Sequence, residues 1–349
     1  MNLTIEQLHI LMKNKLASAG LSEDHASIVA DVLAFADTRG VHSHGAVRVE
    51  YYSERIAKGG INTSPEFKIE ETGPCSAVFD GDNGAGHVIA KLSMDKAIEM
   101  AKKNGVAVVG AKRMSHSGAL GYFTKMAAKE GLVAISMCQS DPMVVPFGGS
   151  DVYYGTNPIA FAAPGPDGKI VNFDMATTIQ AWGKILDARS RNQPIPDTWA
   201  VDAEGNPTSD PHAVRALLPI AGPKGYGLMM MVDILSGVML GLPFGKHVSS
   251  MYDDLSEGRE LGQLHIVLNP EFFTTSSYFI DAIATTMQEL NAIPPAEGFE
   301  QVLYPGQNSD LIGEKSKREG VNIVDDVYEY LKSEHVYINS YDKKSAFNS

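Results

Sequence analysis

The chain has almost no cysteine: among 349 residues only Cys75 and Cys138 occur, far apart in sequence. That excludes a disulfide framework and a thiolate zinc cage, and it fits a reducing compartment. An excess of positive charge is also missing. Lys and Arg number 29 against 42 Asp and Glu, a formal charge of −13, which argues against a nucleic-acid partner or an anionic membrane surface. An anionic small molecule stays possible, because a few arginines in one cleft override the global sign. No run of residues is long and apolar enough to span a bilayer; the greasiest, 228–242, is short and contains Asp233 and Ser236. The N-terminus, MNLTIEQLHILMKNKLASAG, carries Glu6, Lys13 and Lys15 and does not read as a signal peptide, so a cytoplasmic protein is expected. Three motifs are absent as well. Gly84-Ala-Gly86 is followed by His87, Val88 and Ile89 and fails as a G-x-G-x-x-G fingerprint. Neither G-x-x-x-x-G-K-[ST] nor G-x-S-x-G occurs. A nucleotide would therefore need a scaffold other than a Rossmann turn or P-loop, and acyl transfer has no nucleophile elbow.

What is present begins with helices. Thr4 with Gln7 reads as a capping box and Gly20 as a stop, which predicts a helix over about 5–19. Ser22 followed by Glu23 and Asp24 opens a second, which stops near Gly40. The stretch 39–55, RGVHSHGAVRVEYYSER, is the densest in chemistry. Read as helix from His44 onward, at about 100° per residue it sets His44, Arg48, Tyr52 and Arg55 on one face. An imidazole, a guanidinium and a phenol together are what an acid/base site with a carboxylate fork needs. A solvated polar face beside a helix contact reads equally well from these residues alone.

Beyond Pro65 the texture becomes alternating strand and helix, the pattern of an α/β fold. VAVVGAKR, LVAISMC and KIVNFDMA read as strands, and in α/β proteins ligands gather beyond strand carboxyl ends. Three such ends carry polar residues: His116 between Ser115 and Ser117, then Ser140 with Asp141, then Asp174. Segment 222–227, Gly-Pro-Lys224-Gly-Tyr-Gly, opens an apolar helix and is the best phosphate candidate, although a plain glycine-rich turn fits as well. After about residue 290 an extended stretch is expected to run to 304–308, with one last helix at 325–332 and then a polar tail. His42, His44, His116 and Asp141 could in principle furnish a nitrogen/oxygen metal shell, the basis of a rival lyase or hydrolase reading; no metal is expected, since nothing in the pattern supplies the partners that orient such ligands.

The blocks ADTRGVHSHGAVRVEYYSERI, RMSHSGALGYF, SMCQSDPMVVPFGG, YYGTNPIAFAAP, FDMATT, GPKGYGLMMMVDILSG and YPGQN, in this order, resemble the malate/L-lactate dehydrogenases that lack a Rossmann fold, a family that includes L-sulfolactate dehydrogenases. The resemblance runs from about residue 3 to about residue 330. It implies an α/β, non-Rossmann, L-sulfolactate dehydrogenase-like fold. A mixed-sheet NAD-binding domain would span 73–299, a helical domain would be formed by both chain ends (1–72 with 300–335), and 336–349 would be a tail. It implies NAD as cofactor, a small 2-hydroxy acid as substrate, and a homodimer or larger homo-oligomer with no nucleic acid or membrane partner. By position, His116 matches the proton acceptor, with His44 as the alternative. Arg48, Tyr52 and Asp141 match the substrate and nicotinamide surroundings. Ser140, Asp174, Met175, Ala176, Lys224, Gly306, Gln307 and Asn308 match cofactor contacts. The chain departs from many family members at Gln307, where they carry Glu.

Overall fold

The computed structural model describes residues 1–341. Its first strand, β1 (Asn2–Leu3), leads into α1 (Ile5–Ala19), where the Thr4 hydroxyl accepts from the Gln7 amide and Gln7 caps Thr4 in return. The Ser22 hydroxyl caps α2 (Glu23–Thr38). The third helix differs from the sequence reading. His42–His44 and Ala46–Arg48 are short 3-10 turns, and α3 proper is Val49–Ala57. Gly45 causes the break: it sits at φ −100°, ψ −146°, with the buried Asp37 carboxylate packed where a side chain would be, and that carboxylate takes the Ala46 amide at 2.6 Å. Leu8, Met12, Leu16, Val29, Leu33, Val49 and Ile56 form one apolar core here.

The main sheet follows: β2 (Lys68–Gly73), β3 (Ser76–Gly84), α4 (Gly86–Asn104), β4 (Val106–Met114), α5 (Leu120–Lys129), β5 (Val133–Cys138), β6 (Ile159–Pro164) and β7 (Ile170–Met175). Then come α6 (Trp182–Ser190), the short pair β8 (Ala200–Val201) and β9 (Ala216–Leu217), α7 (Pro223–Ser236) and β10 (Leu261–Leu268). The chain closes with α8 (Ser276–Ala292), α9 (Gln307–Glu319), β11 (Val321–Asn322), which pairs with β1, and α10 (Asp325–Lys332). Helices α6 and α9 are not anticipated: the sequence reading assigns nothing to 182–190, and its extended stretch ends at 304–308, where α9 begins.

The seven sheet strands run in the order β2-β3-β4-β10-β5-β6-β7. Only β3 and β4 pair in parallel; every other neighbouring pair is antiparallel. It follows that β3, β4, β5 and β7 all point the same way, so their carboxyl ends share one edge of the sheet. The antiparallel β10 and β6 bring their amino ends to that same edge. Helices α4 and α5 cover one face, around Met94, Phe123 and Val267, while α7 covers the other, where Val232 meets Met137 and Leu264. The period-2 alternation of side chains explains the split: on β5, Ala134 and Met137 go to opposite faces.

After α10 the chain stays on the body. Lys15 Nζ donates to the carbonyls of Ser333 (2.5 Å) and His335 (2.9 Å). The rest of the expected tail, 342–349, lies outside the described residues.

Candidate active site

The shared edge collects the chemistry. Ser115, His116 and Ser117 leave β4 on a loop held from beneath. Ser115 Oγ accepts the Gly86 amide at 2.8 Å, and Ser117 Oγ donates to Gln263 Oε1 at 2.8 Å. Gly86 is required there, since a Cβ would lie 2.0 Å from the Ser115 carbonyl oxygen. Gln263 belongs to β10, next to the fully buried His265, whose Nδ1 lies 2.7 Å from Ser136 Oγ and whose Nε2 lies 3.1 Å from Ser93 Oγ. Ser93 spends its proton on the Ile89 carbonyl at 2.8 Å; Nε2 of His265 is therefore the donor and Nδ1 the acceptor.

Above this loop the helical unit presents its side chains. Tyr52 Oη lies 2.6 Å from His116 Nδ1, and the Gly118 amide donates to the same nitrogen at 3.3 Å. Among the described residues His116 Nε2 has no hydrogen-bond partner. The ring of His44 lies 5.8 Å from that of His116, tilted by 31°, and buried His87 stands edge-on to Tyr52 at 4.9 Å. Arg48 is fixed by two bonds, Nε to the Ser43 carbonyl (2.8 Å) and Nη1 to Tyr252 Oη (3.0 Å). Among the described residues nothing bonds Nη2 or the second hydrogen of Nη1, which leaves them for a carboxylate. The first three members of the expected helix face thus converge despite the break at Gly45. Arg55 does not join them: it is buried and donates to the carbonyls of Met251 and Glu257.

Burial and the charge of Arg48 hold His44 down at about 4. Burial, then the positive charges around it, hold His116 well below the usual 6.5. Burial above all, with Tyr51 and Tyr252 beside it, pushes the Tyr52 phenol upward against the pull of Arg48 and Arg259, so it stays protonated. His42 behaves differently. Its hydrogen bond to Asp37 (2.9 Å) raises it, and its ring is largely exposed. That bond takes His42 away from the histidine cluster, and among the described residues no three His, Cys, Asp or Glu side chains group as a metal cage would require.

Asp141, after β5, is buried and accepts the Met251 amide at 3.3 Å; Arg259 Nη2 approaches it at 3.6 Å. Arg259, Asp37, Tyr252, Gln263 and His87 are members of this site that sequence reading missed. Arg259 precedes β10, and only the antiparallel course of β10 reveals that it arrives here. Asp37 stands five residues before His42, and that spacing was its one local signal.

The expected cofactor residues lie toward the far end of the same edge. Ser140 Oγ is 3.1 Å from Thr156 Oγ1, and the Asn157 amide donates to it at 3.3 Å. Asp174, on β7, takes the Gly121 amide at 2.8 Å, with Met175 and Ala176 following. Gly306, at φ +92°, packs on Asn172, whose amide donates to the Pro305 carbonyl, and this fixes the turn through Gln307 and Asn308 against β7. The Ile220 amide donates to the Thr177 carbonyl, which ties the approach to α7, and so Lys224 in its first turn, to the end of β7. Lys224 is exposed, as are the apolar side chains of Phe173, Met175 and Ile179 nearby. Exposed apolar side chains and an exposed ammonium are groups that a ligand combining rings with phosphate can use.

A family model described as malate/L-lactate dehydrogenase matches residues 3–332. Ureidoglycolate dehydrogenase (NAD(+)) of Escherichia coli strain K12 is 64% identical over 99% of each chain. Malate dehydrogenase of Pyrococcus horikoshii is 37% identical, covering 93% of this chain and 92% of its own. The solved structure of sulfolactate dehydrogenase from Methanocaldococcus jannaschii superposes with a TM-score of 0.89 at 37% identity, over 95% of this chain and 96% of that one. With the mixed sheet and the histidine-arginine pocket at its edge, these matches place the chain in the malate/L-lactate dehydrogenase family.

Proposed function

We propose that the protein oxidises ureidoglycolate, a 2-hydroxy acid, to the 2-oxo acid oxalurate, with NAD as the hydride acceptor. One observation carries the reading: a neutral, half-buried histidine with one free nitrogen shares a pocket with a guanidinium that has one free edge. Its support is the 64% likeness to the ureidoglycolate enzyme.

NAD, when bound, takes the hydride from the carbinol carbon. Ser140, the 174–176 turn, Lys224 and the 306–308 turn are the residues to hold it, with Lys224 at the phosphates. All remaining work falls to side chains. Arg48 grips the substrate carboxylate by its free edge, and two parallel hydrogen bonds fix which face of the carbon is presented. His116 Nε2 takes the hydroxyl proton. To do so the ring must carry its own proton on Nδ1, giving up the long 3.3 Å bond from the Gly118 amide and donating to Tyr52 Oη 2.6 Å away. Tyr52 is suited to this, because a hydroxyl both accepts and donates. It receives the Nδ1 proton in the reactive tautomer and stabilises the imidazolium that forms. His44 and Asp141 line the pocket beside the hydroxyl and the ureido group. With His116 as base and Arg48 as clamp, the side chains supply the proton acceptor and the orientation that oxidation of the alcohol requires.

The test is absorbance of reduced nicotinamide on a panel of ureidoglycolate, malate, lactate and sulfolactate, each with NAD and NADP. Turnover is expected to be fastest with ureidoglycolate and NAD. Preference for malate or sulfolactate would move the chain to another branch of the family, and silence with all four would end the reading.

We further propose that the chain forms a helical domain from both ends (1–72 with 300–335), which supplies His44, Arg48, Tyr52 and the 306–308 turn, and an NAD-binding domain over 73–299, which supplies His116, Asp141 and the remaining cofactor contacts. The assembly is a homodimer or larger, since α7 leaves Met230, Met231 and Ile234 exposed, with Val238 and Met239 just beyond. Sedimentation of the free enzyme tests this. Two free cysteines suit the cytoplasm, which cell fractionation would check.

A further inference from the structure

Segment 333–341 is fastened at both ends. At its start Lys15 binds two carbonyls, as above, and the Tyr330 hydroxyl donates to the Val336 carbonyl at 2.7 Å. At its far end a single carboxylate does the holding. Glu54 has no exposed surface; its Oε2 accepts the Tyr341 amide at 3.2 Å, and its Oε1 accepts Lys58 Nζ at 2.9 Å. Lys58 Nζ in turn donates to Asn339 Oδ1 at 2.7 Å and lies 5.5 Å from the centre of the Tyr337 ring. A buried carboxylate is costly unless it is paired and hydrogen-bonded. Here both of its oxygens are committed to holding this segment on α3.

What the segment delivers is an aromatic ring. Tyr341 lies nearly parallel to Tyr252, at 16° with centroids 5.9 Å apart, and edge-on to Tyr51 at 5.7 Å. Tyr51 is itself edge-on to Tyr252 at 5.7 Å. Tyr252 belongs to an irregular loop, so no helix or strand fixes its ring; two other rings do. Its hydroxyl is the acceptor for Arg48 Nη1 at 3.0 Å. A guanidinium holds a carboxylate in a defined pose only if its own plane is fixed.

We propose that residues 333–341 are a strap that sets substrate affinity: Tyr341 is a positioning residue that fixes Tyr252, and through it the plane of Arg48. This rests on reading Arg48 as the carboxylate fork. It assigns to the end of the chain a role in recognising the hydroxy acid and none in holding NAD.

Steady-state kinetics on the full-length enzyme, with ureidoglycolate and NAD varied separately, test it. Tyr341→Ala is expected to raise KM for the hydroxy acid about 5–10-fold, with KM for NAD within about 2-fold. Tyr341→Phe keeps the ring and should behave as wild type. Tyr252→Phe removes the acceptor and should reproduce the rise. The double variant Tyr252→Phe/Tyr341→Ala should be no worse than Tyr252→Phe alone, because both act through one contact. An unchanged hydroxy-acid KM in Tyr341→Ala, or equal rises in both KM values, overturns the strap and leaves a packing role. Arg48→Ala separates the two levels. If it raises the hydroxy-acid KM while Tyr341→Ala does not, the strap alone fails. If Arg48→Ala leaves that KM unchanged, the fork reading fails first.

Discussion

The two halves of the site are built on opposite plans. The proposed substrate half packs His44, Arg48, Tyr52, His87 and His116 into one cluster of rings and a guanidinium, with Tyr52 bonded to His116 and Arg48 held by Tyr252. The proposed cofactor half spreads Ser140, Asp174, Lys224 and Gly306 over four separate elements, and its fixed points are largely main-chain turns. A preformed cluster suits a small ligand in which each polar atom needs a specific partner. A chain of turns along a sheet edge suits a long ligand that binds by many weak contacts. The contrast predicts that substitutions in the first half are severe and specific, and that those in the second are mild and graded.

His116→Ala is the sharpest way to break the contrast. It should lower kcat about 10²–10⁴-fold with NAD binding kept, as loss of a general base does. Tyr52→Phe leaves only the Gly118 amide at His116 Nδ1, which favours the tautomer with its proton on Nε2, the wrong nitrogen for a base. A kcat loss of about 10–10²-fold is expected. Because the free-enzyme pKa of His116 lies well below 6.5, the acid limb of kcat/KM should also lie below 6.5. Should His44→Ala abolish turnover while His116→Ala keeps it, the two histidines exchange roles.

Arg48 comes next. Arg48→Ala should cost about 10²-fold in kcat/KM for the hydroxy acid, and Arg48→Lys should not restore it, because a point charge has no planar fork. A lysine variant with near-normal kcat/KM would mean that charge alone, without geometry, holds the substrate.

Lys224→Ala probes the other half. One exposed ammonium among several contacts should change the NAD KM about 10-fold or less, and the difference should shrink as salt is raised. NAD affinity that is unchanged in a titration would remove Lys224 from the site. A loss as large as that of Arg48→Ala would erase the contrast.

The same contrast governs what the sequence discloses. The Arg39–Arg55 neighbourhood is one continuous stretch, so its chemistry is visible locally even though Gly45 breaks the helix that the pattern suggested. Strand ends bearing His116, Ser140 and Asp174 were legible from buried runs followed by polar residues. That they share an edge with Arg259 depends on the antiparallel insertion of β10 between β4 and β5, which is a long-range pairing with no local mark. Helix α9 escaped notice because its cap is Gly306 in the left-handed region, not a Ser, Thr or Asp, and its sequence QNSDLIGEKSKRE is mostly polar. Asp310 in its first turn pairs with Lys125 and faces Arg39, contacts that tie α9 to α5 and α2 and are invisible until the fold is known.

The smallest effect on turnover is expected beneath the His116 loop, where buried histidines make stability depend on pH. Burial holds His265 and His87 down at about 3, while in the unfolded chain both titrate near 6.5. Between these values the unfolded state binds a proton at each position and the native state does not. Stability contributed by keeping them neutral is therefore complete above about 6.5 and falls as the pH drops, by about 1.4 kcal/mol per pH unit for each histidine. His265→Gln cannot take up that proton. Its amide can still bond Ser93 or Ser136, so Gln263 and Ser117 keep their places. The variant should lose some stability at pH 8 and show a flatter loss of stability between pH 6 and 4 than the wild type, by about one proton's slope. Denaturant unfolding at a series of pH values measures this directly. Parallel curves for the two proteins would mean that His265 is protonated in the native state. Both ring nitrogens would then be donors, and Ser136 Oγ would have to accept from Nδ1.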